Sequence, residues 1–158
     1  MELHDSTKSV KLFLRRPYAQ ARQLYYSALA YQPNWALAFN AVGRACYGLY
    51  DFACAEQYYR RAADTDSSWY FPRINLANLY ANNFHNFPAA ETEYREAIAL
   101  DTTRGTFHFD YANLLYSLGK TRWPDACVQY RAALGSVNSP LQPAQLNVAR
   151  IRIQRLCQ

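Results

Sequence analysis

The sequence predicts an all-α fold of stacked helical hairpins, and three observations carry that reading. Of the 158 residues, 51% are hydrophobic and 18% charged, which argues against disorder, and five glycines with seven prolines are few for a loop-rich chain. Apolar residues recur at the spacing of an amphipathic helix rather than in strand-like alternation. The third observation is repetition. Ala21, Ala55, Ala90 and Ala126 are separated by 34, 35 and 36 residues, and the same separations hold for Tyr25, Tyr59, Tyr94 and Tyr130, for Ala28, Ala62, Ala97 and Ala133, and for Tyr18, Phe52, Phe87 and Trp123. A fifth column, Ser9, Gly43, Ala77 and Ala112, is spaced 34, 34 and 35, so the added residues fall in the turns inside the third and fourth repeats. Growth confined to a turn leaves the helix packing intact.

In chain order, residues 1 to 16 are expected to hold a shortened first helix with Val10, Leu12, Phe13 and Leu14 as its apolar content. Asp5 and Lys8 stand where the second repeat has Phe39 and Val42, so this is an edge copy exposed on one side. Pro17 opens the second helix, where its missing N–H costs little, and Tyr18, Ala21, Tyr25, Ala28 and Leu29 mark its buried face up to Pro33. The hairpin from Trp35 to Asp66 sets the pattern: Phe39, Val42, Gly43 and Cys46 on one helix, a turn near Leu49 to Asp51, and Ala55, Tyr59 and Ala62 on the return. Small residues mark close backbone approach, and aromatics fill the gaps beside them.

The third repeat has Leu76, Ala77 and Tyr80, a lengthened turn at Phe84 to Pro88 with His85 exposed, and a return helix to Leu100. The fourth has Tyr111, Ala112 and Leu115, then Gly119, then Trp123 to Ala133 with Pro124 in the first helical turn. Pro140 and Pro143 break the pattern after Gly135. Leu146, Ala149, Ile153 and Leu156 then give one apolar face to a last helix that also carries Arg150, Arg152 and Arg155. Such a helix covers the exposed flank of a final repeat, while Val148 and Ile151 widen its stripe enough to leave homodimerisation open. The resulting division is four repeats at about 2–34, 35–68, 69–103 and 104–138, and an amphipathic capping helix within 139–158.

The period, and the order small, aromatic, turn, aromatic, Ala, Tyr, Ala, resemble the tetratricopeptide repeat (TPR) over roughly residues 5 to 138. The family's glycine appears as Gly43 and is replaced by Ser9, Ala77 and Ala112; its closing proline appears only as Pro33. The resemblance implies a right-handed superhelical solenoid whose concave surface is built from the first helix of each repeat. It also implies a non-catalytic protein-protein interaction module, a scaffold or adaptor that holds a peptide segment of a partner in that groove. The inward positions it assigns are Asn40, Arg44 and Tyr47, then Phe71, Asn75, Asn78 and Asn82, then Phe109, Asp110, Asn113 and Tyr116. Asn offers both a donor and an acceptor to an extended backbone, and aromatics accept apolar side chains at low entropic cost. Some family members clamp the C-terminal carboxylate of chaperones with lysine, asparagine and arginine at fixed inward positions, of which only Asn40, Arg44 and Asn75 are of suitable type here. Here Lys8, Lys11 and Lys120 fall outside the groove, which stands against that use.

No cofactor, metal or enzymatic centre is expected. His4, His85 and His108 lie at an end, in a turn and near a helix start, with no paired carboxylates or glycine-rich loop beside them. Through Asp101 the chain has ten basic and ten acidic residues; from Thr102 onward Arg104, Lys120, Arg122, Arg131, Arg150, Arg152 and Arg155 face only Asp110 and Asp125. That basic third is the ground for the alternative of nucleic-acid or acidic-surface binding. Cys46, Cys54, Cys127 and Cys157 form neither a C-x-x-C pair nor a compact framework, so they are read as small apolar residues in a reducing, cytoplasmic setting. No apolar run reaches the ~20 residues of a membrane span.

Overall fold

The computed structural model describes residues 3–136 and 141–157, with side chains from Arg15 onward. The Ser9 column position and the expected apolar content of residues 10–14 therefore lie outside the described side chains, and residues 137–140 of the proline-containing break lie outside the described residues. Among the described residues there are eight α-helices and no strand. The chain forms two compact units, Met1–Leu76 and Ala77–Gln158.

In the first unit α1 runs unbroken over Leu3–Tyr31 with Pro17 inside it, which overturns the expectation of two helices with Pro17 opening the second. The reason lies in the turn chemistry. The second and third hairpins turn at a left-handed residue, Tyr50 at φ 64° and His85 at φ 52°, each followed by a capping side chain, Asp51 or Asn86. The corresponding positions here are Arg16 and Pro17, which supply neither a residue suited to the left-handed region nor an acceptor for the next N–H groups. α1 packs on α2 (Ala36–Gly48), where the Tyr18 ring lies against Gly48.

α2 and α3 (Phe52–Thr65) form the hairpin that the columns predict. Asp51 Oδ1 accepts the Cys54 N–H at 3.2 Å and caps α3. Ala55 and Ala62 are fully buried, as are Val42 and Cys46 facing them from α2, and Tyr59 fills the space beside Gly43. A Cβ placed on Gly43 would stand 2.5 Å from Tyr59 Cδ1. Since Tyr59 is 3% exposed its ring has little room to retreat. Gly43→Ala is therefore expected to destabilise by roughly 1 to 3 kcal/mol, as overpacking does; urea denaturation measures it, and an unchanged midpoint would contradict the close approach.

The helix α4 (Tyr70–Leu79) carries the division between units and passes into a π-helical turn, Tyr80–Phe84. That turn absorbs the added residue of the third repeat without lengthening a loop. In the second unit, α5 (Phe87–Leu100) returns against this turn, and α6 (Gly105–Ser117) and α7 (Trp123–Gly135) form the next hairpin. The added residues of the fourth repeat become Gly119 at φ 98° and a short 3-10 turn, Lys120–Arg122. Here only glycine is strain-free. Ala90, Ala97, Ala126 and Ala133 are buried with Tyr94 and Tyr130, as the columns require, whereas Ala21, Tyr25 and Ala28 of α1 are only partly covered.

α8 (Pro143–Leu156) packs on α7. Ala149 is its fully buried residue, and a disulfide joins Cys157, just past its end, to Cys127 of α7. A second disulfide joins Cys46 to Cys54 across the α2–α3 turn. Both Cα separations, 5.8 and 5.9 Å, suit such bonds. All four cysteines are thus paired, which corrects the reading of them as free apolar residues and removes the ground for a reducing compartment. Spacing gave no hint, because each pair is closed by the fold rather than by a local motif. Cys46, Asp51 and Cys54 lie close enough to share an ion, but the two sulfurs are bonded to each other.

Candidate functional site

Each unit has a polar pocket lined by the first helices of its repeats. In the first unit Asn40, Ala41, Arg44, Phe71 and Asn75 surround a cavity of about 510 Å³ together with Tyr25, Leu37 and Trp69. Asn75 Nδ2 donates to Asn40 Oδ1 at 2.8 Å, so the two amides orient each other, and Asn40 is only 7% exposed. Replacing Asn75 would orphan a buried carbonyl. Phe71 packs edge-on to Trp69 and remains 42% exposed, while Leu37 is 49% exposed. The pocket therefore joins one guanidinium and two aligned amides to an apolar wall. Tyr47 is not part of it; its ring packs on Phe52 at 5.6 Å.

In the second unit Asn78, Asn82, Asp110 and Asn113 line a cavity of about 240 Å³ with Ala81, Phe87, Tyr94, Leu114 and Ser117. The Tyr94 hydroxyl donates to Asn78 Oδ1 at 2.6 Å, and one repeat later the Tyr130 hydroxyl donates to Asn113 Oδ1 at 2.7 Å. Each pair links a first helix to its return helix. Burial pushes the Asp110 carboxyl up to about 6. It pushes the Tyr94 hydroxyl up as well, helped by the Asp110 charge.

Phe109, expected to face inward, lies in the core at 7% exposure with its ring edge-on to Tyr130. Tyr116 is stacked on Trp123 at 5.8 Å and lines a separate cavity of about 470 Å³ with Val148, Ile151, Arg152, Arg155 and Leu156 of α8. Arg152 reaches back from α8, donates to Asn113 Oδ1 and to the Tyr130 hydroxyl, and lies 4.1 Å from the Tyr116 ring centroid. It was expected to be part of a basic surface. The signal that points to such contacts is the repeated tyrosine: a buried ring that is never Phe keeps a hydroxyl that needs a partner.

Other cations of the basic third are also engaged. Arg122 makes two hydrogen bonds to Glu91 at 3.0 Å and one to Asp125, and Arg104 pairs with Asp101 at 2.9 Å. Burial works to raise the Glu91 carboxyl, but the Arg122 hydrogen bond and the charges of Arg122 and Arg95 hold it below its ordinary value. His85 is exposed in its turn, as expected. His108 is buried, with Nδ1 2.8 Å from Gln129 Oε1 and Nε2 3.1 Å from the Thr102 carbonyl, so it joins α6 to its surroundings.

Neither a family model nor a curated protein matches the chain. Solved structures do. The chain is similar to MamA over 99% of its own length and 83% of that chain, with a TM-score of 0.74 at 15% identity. It is similar to TTC0263, a thermophilic TPR protein of Thermus thermophilus, over 94% of this chain and 75% of that one, with a TM-score of 0.68 at 20% identity. It also resembles the first TPR of Spaghetti (RPAP3), solved bound to the HSP90 peptide SRMEEVD, over 78% and 94% of the two chains, with a TM-score of 0.66 at 21% identity. The chain thus has the tetratricopeptide-repeat fold that its residue columns imply. No helix among the described residues is long and apolar enough to cross a membrane.

Proposed function

We propose that the protein is a non-catalytic interaction module that holds a segment of a partner protein against the first helices of its repeats. The observation that carries this reading is the pocket of the first unit, where Asn40, Arg44, Phe71 and Asn75 come together beside Trp69 and Leu37. Amides suit peptide N–H and C=O groups, exposed aromatic and aliphatic faces suit apolar side chains, and a guanidinium suits one carboxylate. Spaghetti's first TPR is bound to a peptide ending in Glu-Glu-Val-Asp. Among the described side chains the one lysine, Lys120, stands over the Trp123 ring in a turn, so a corresponding role would rest on Arg44 and the amides rather than on that lysine. The engagement of Arg104, Arg122 and Arg152 also leaves the nucleic-acid alternative with less free charge than the sequence offers.

The test uses Phe71→Ala and Arg44→Ala in the full chain. Both side chains are exposed, so stability is expected to stay within about 0.5 kcal/mol of the parent. Capture of peptides from a displayed seven-residue library should fall at least about tenfold for each, the loss of ~1.4 kcal/mol that one good contact supplies. Undiminished capture by both variants would remove this pocket from the interface.

A further inference from the structure

We infer that the second-unit pocket is a socket for a basic side chain of the partner, with Asp110 as its counter-charge and the Asn78–Tyr94 pair as its neutral wall. The inference rests on the peptide-binding reading above and adds the chemistry that the peptide must carry. The protein itself supplies the template. One repeat further on, the equivalent pair of Asn113 and Tyr130 holds a guanidinium, that of Arg152, by two hydrogen bonds, with the Tyr116 ring beneath it. The Asn78–Tyr94 pair has the same internal hydrogen bond, 2.6 Å against 2.7 Å, and no cation on it among the described residues. In place of the tyrosine ring stands Ala81, which leaves the cavity open, and Asp110 lines that cavity.

Asp110 has no hydrogen-bond or ion-pair partner among the described residues. A half-buried carboxylate held without a cation is costly to the fold and is the kind of group retained for a ligand. Of the groups around it, Tyr94 on α5 is the titratable one in the cavity wall, and it stays protonated because burial, and then the Asp110 charge, raise it. No cation lines the cavity among the described residues; Arg152 of α8, which donates to Asn113 of its wall, is engaged by Asn113, Tyr130 and Tyr116 and lines a different cavity. Asn78, Asn82, Asn113 and Ser117 complete the wall with neutral donors and acceptors. An arginine or lysine side chain entering here would gain a charge-assisted bond to Asp110 and further acceptors in the Asn78 and Tyr94 oxygens. A glutamate would meet an unscreened like charge.

The sign of the pH dependence follows. Burial pushes the Asp110 carboxyl in the folded chain up to about 6, above the ordinary carboxylate range, so folding stability from this group is fullest in acid and is lost as the pH rises through about 6. Cation binding runs the other way, because it needs the carboxylate. With the carboxyl at about 6, an arginine probe that stays charged should bind about tenfold more weakly at pH 5 than at pH 7.5.

The experiment titrates Nα-acetyl-arginine amide, and its uncharged isostere Nα-acetyl-citrulline amide, into the full chain while amide NMR shifts are followed. Saturable shifts at residues 78, 82, 110 and 113 with the arginine probe, at least tenfold weaker with the citrulline probe and in Asp110→Asn, are expected. Equal binding of the two probes, or undiminished binding by Asp110→Asn, would overturn the socket. Asp110→Asn should melt higher than the parent at pH 7.5, with the gap closing towards pH 4, so loss of binding is not loss of fold. Asn78→Leu, with its own melting curve, provides a second variant. A seven-residue peptide library with Arg, Lys, Gln or Glu fixed at its centre separates the two readings. Retention without regard to the central residue would leave peptide binding standing and remove the socket. Retention of no peptide, with the arginine probe still bound, would keep the socket and remove the peptide reading.

Discussion

Tyr130→Ala is expected to destabilise the second unit by about 3 to 5 kcal/mol, the range for deleting a large buried aromatic. Tyr130 is fully buried, its ring meets Phe109 edge-on at 5.9 Å, and its hydroxyl stands between Asn113 and Arg152. Deletion therefore opens a cavity and strips one acceptor from a guanidinium. Tyr130→Phe separates the two effects, because it keeps the ring and removes only the hydroxyl's two hydrogen bonds, one donated to Asn113 and one accepted from Arg152, at roughly 1 to 3 kcal/mol together. Tyr25→Ala is the internal control. It stands in the same residue column but is only half-buried on α1, so its loss should be well under that of Tyr130. Urea midpoints at constant slope give all three values, and equal losses at Tyr25 and Tyr130 would contradict the graded burial of the column.

That gradient marks where the sequence was legible. Alanine and tyrosine columns located the helix contacts of three hairpins, because close approach and gap filling depend on side-chain size, which repeats visibly. The unbroken α1 was not legible from those columns. They continue through Tyr18, Ala21, Tyr25 and Ala28 whether or not a turn precedes them, and the turn is decided at Arg16 and Pro17 by residues outside any column. The inward list had the same limit. Helical position alone places Asn40, Arg44, Asn75, Asn78, Asn82, Asp110 and Asn113 on a lined surface, but whether an amide is free depends on its neighbour. Asn75 is tied to Asn40 and Asn78 to Tyr94, and Phe109 is turned into the core by the packing of α6 on α7. Arg152 was read as surface charge because its partners lie 22 and 39 residues away in sequence. Its distance in sequence hides a contact that the equivalent tyrosine position could have suggested.

The same long separation makes the Cys127–Cys157 bond the second large effect. It closes a loop of 30 residues, for which the loss of unfolded-chain entropy is worth roughly 3.5 kcal/mol, whereas Cys46–Cys54 closes only 8 and is worth roughly 2.5 kcal/mol. The difference in consequence is larger than the difference in energy. Cys46 and Cys54 sit on helices already joined by a short turn and by the buried Ala55 and Val42, so Cys46→Ser with Cys54→Ser leaves the hairpin paired. α8 has fewer anchors: buried Ala149, the Arg152 contacts and the bond at its end, with Val148 and Ile151 still 37% and 41% exposed. Cys127→Ser with Cys157→Ser should therefore speed amide exchange across residues 143–156 while exchange in α2 and α3 is unchanged. Arg152 would then leave Asn113 and Tyr130 for part of the time, and a second acceptor pair of the Asn78–Tyr94 kind would open in the same unit. In that variant the arginine probe should shift the amide of residue 130 in addition to those of residues 78, 82, 110 and 113, which it shifts in the parent. Unchanged exchange in α8 would mean that its side-chain contacts alone hold it, and the second acceptor pair would stay closed.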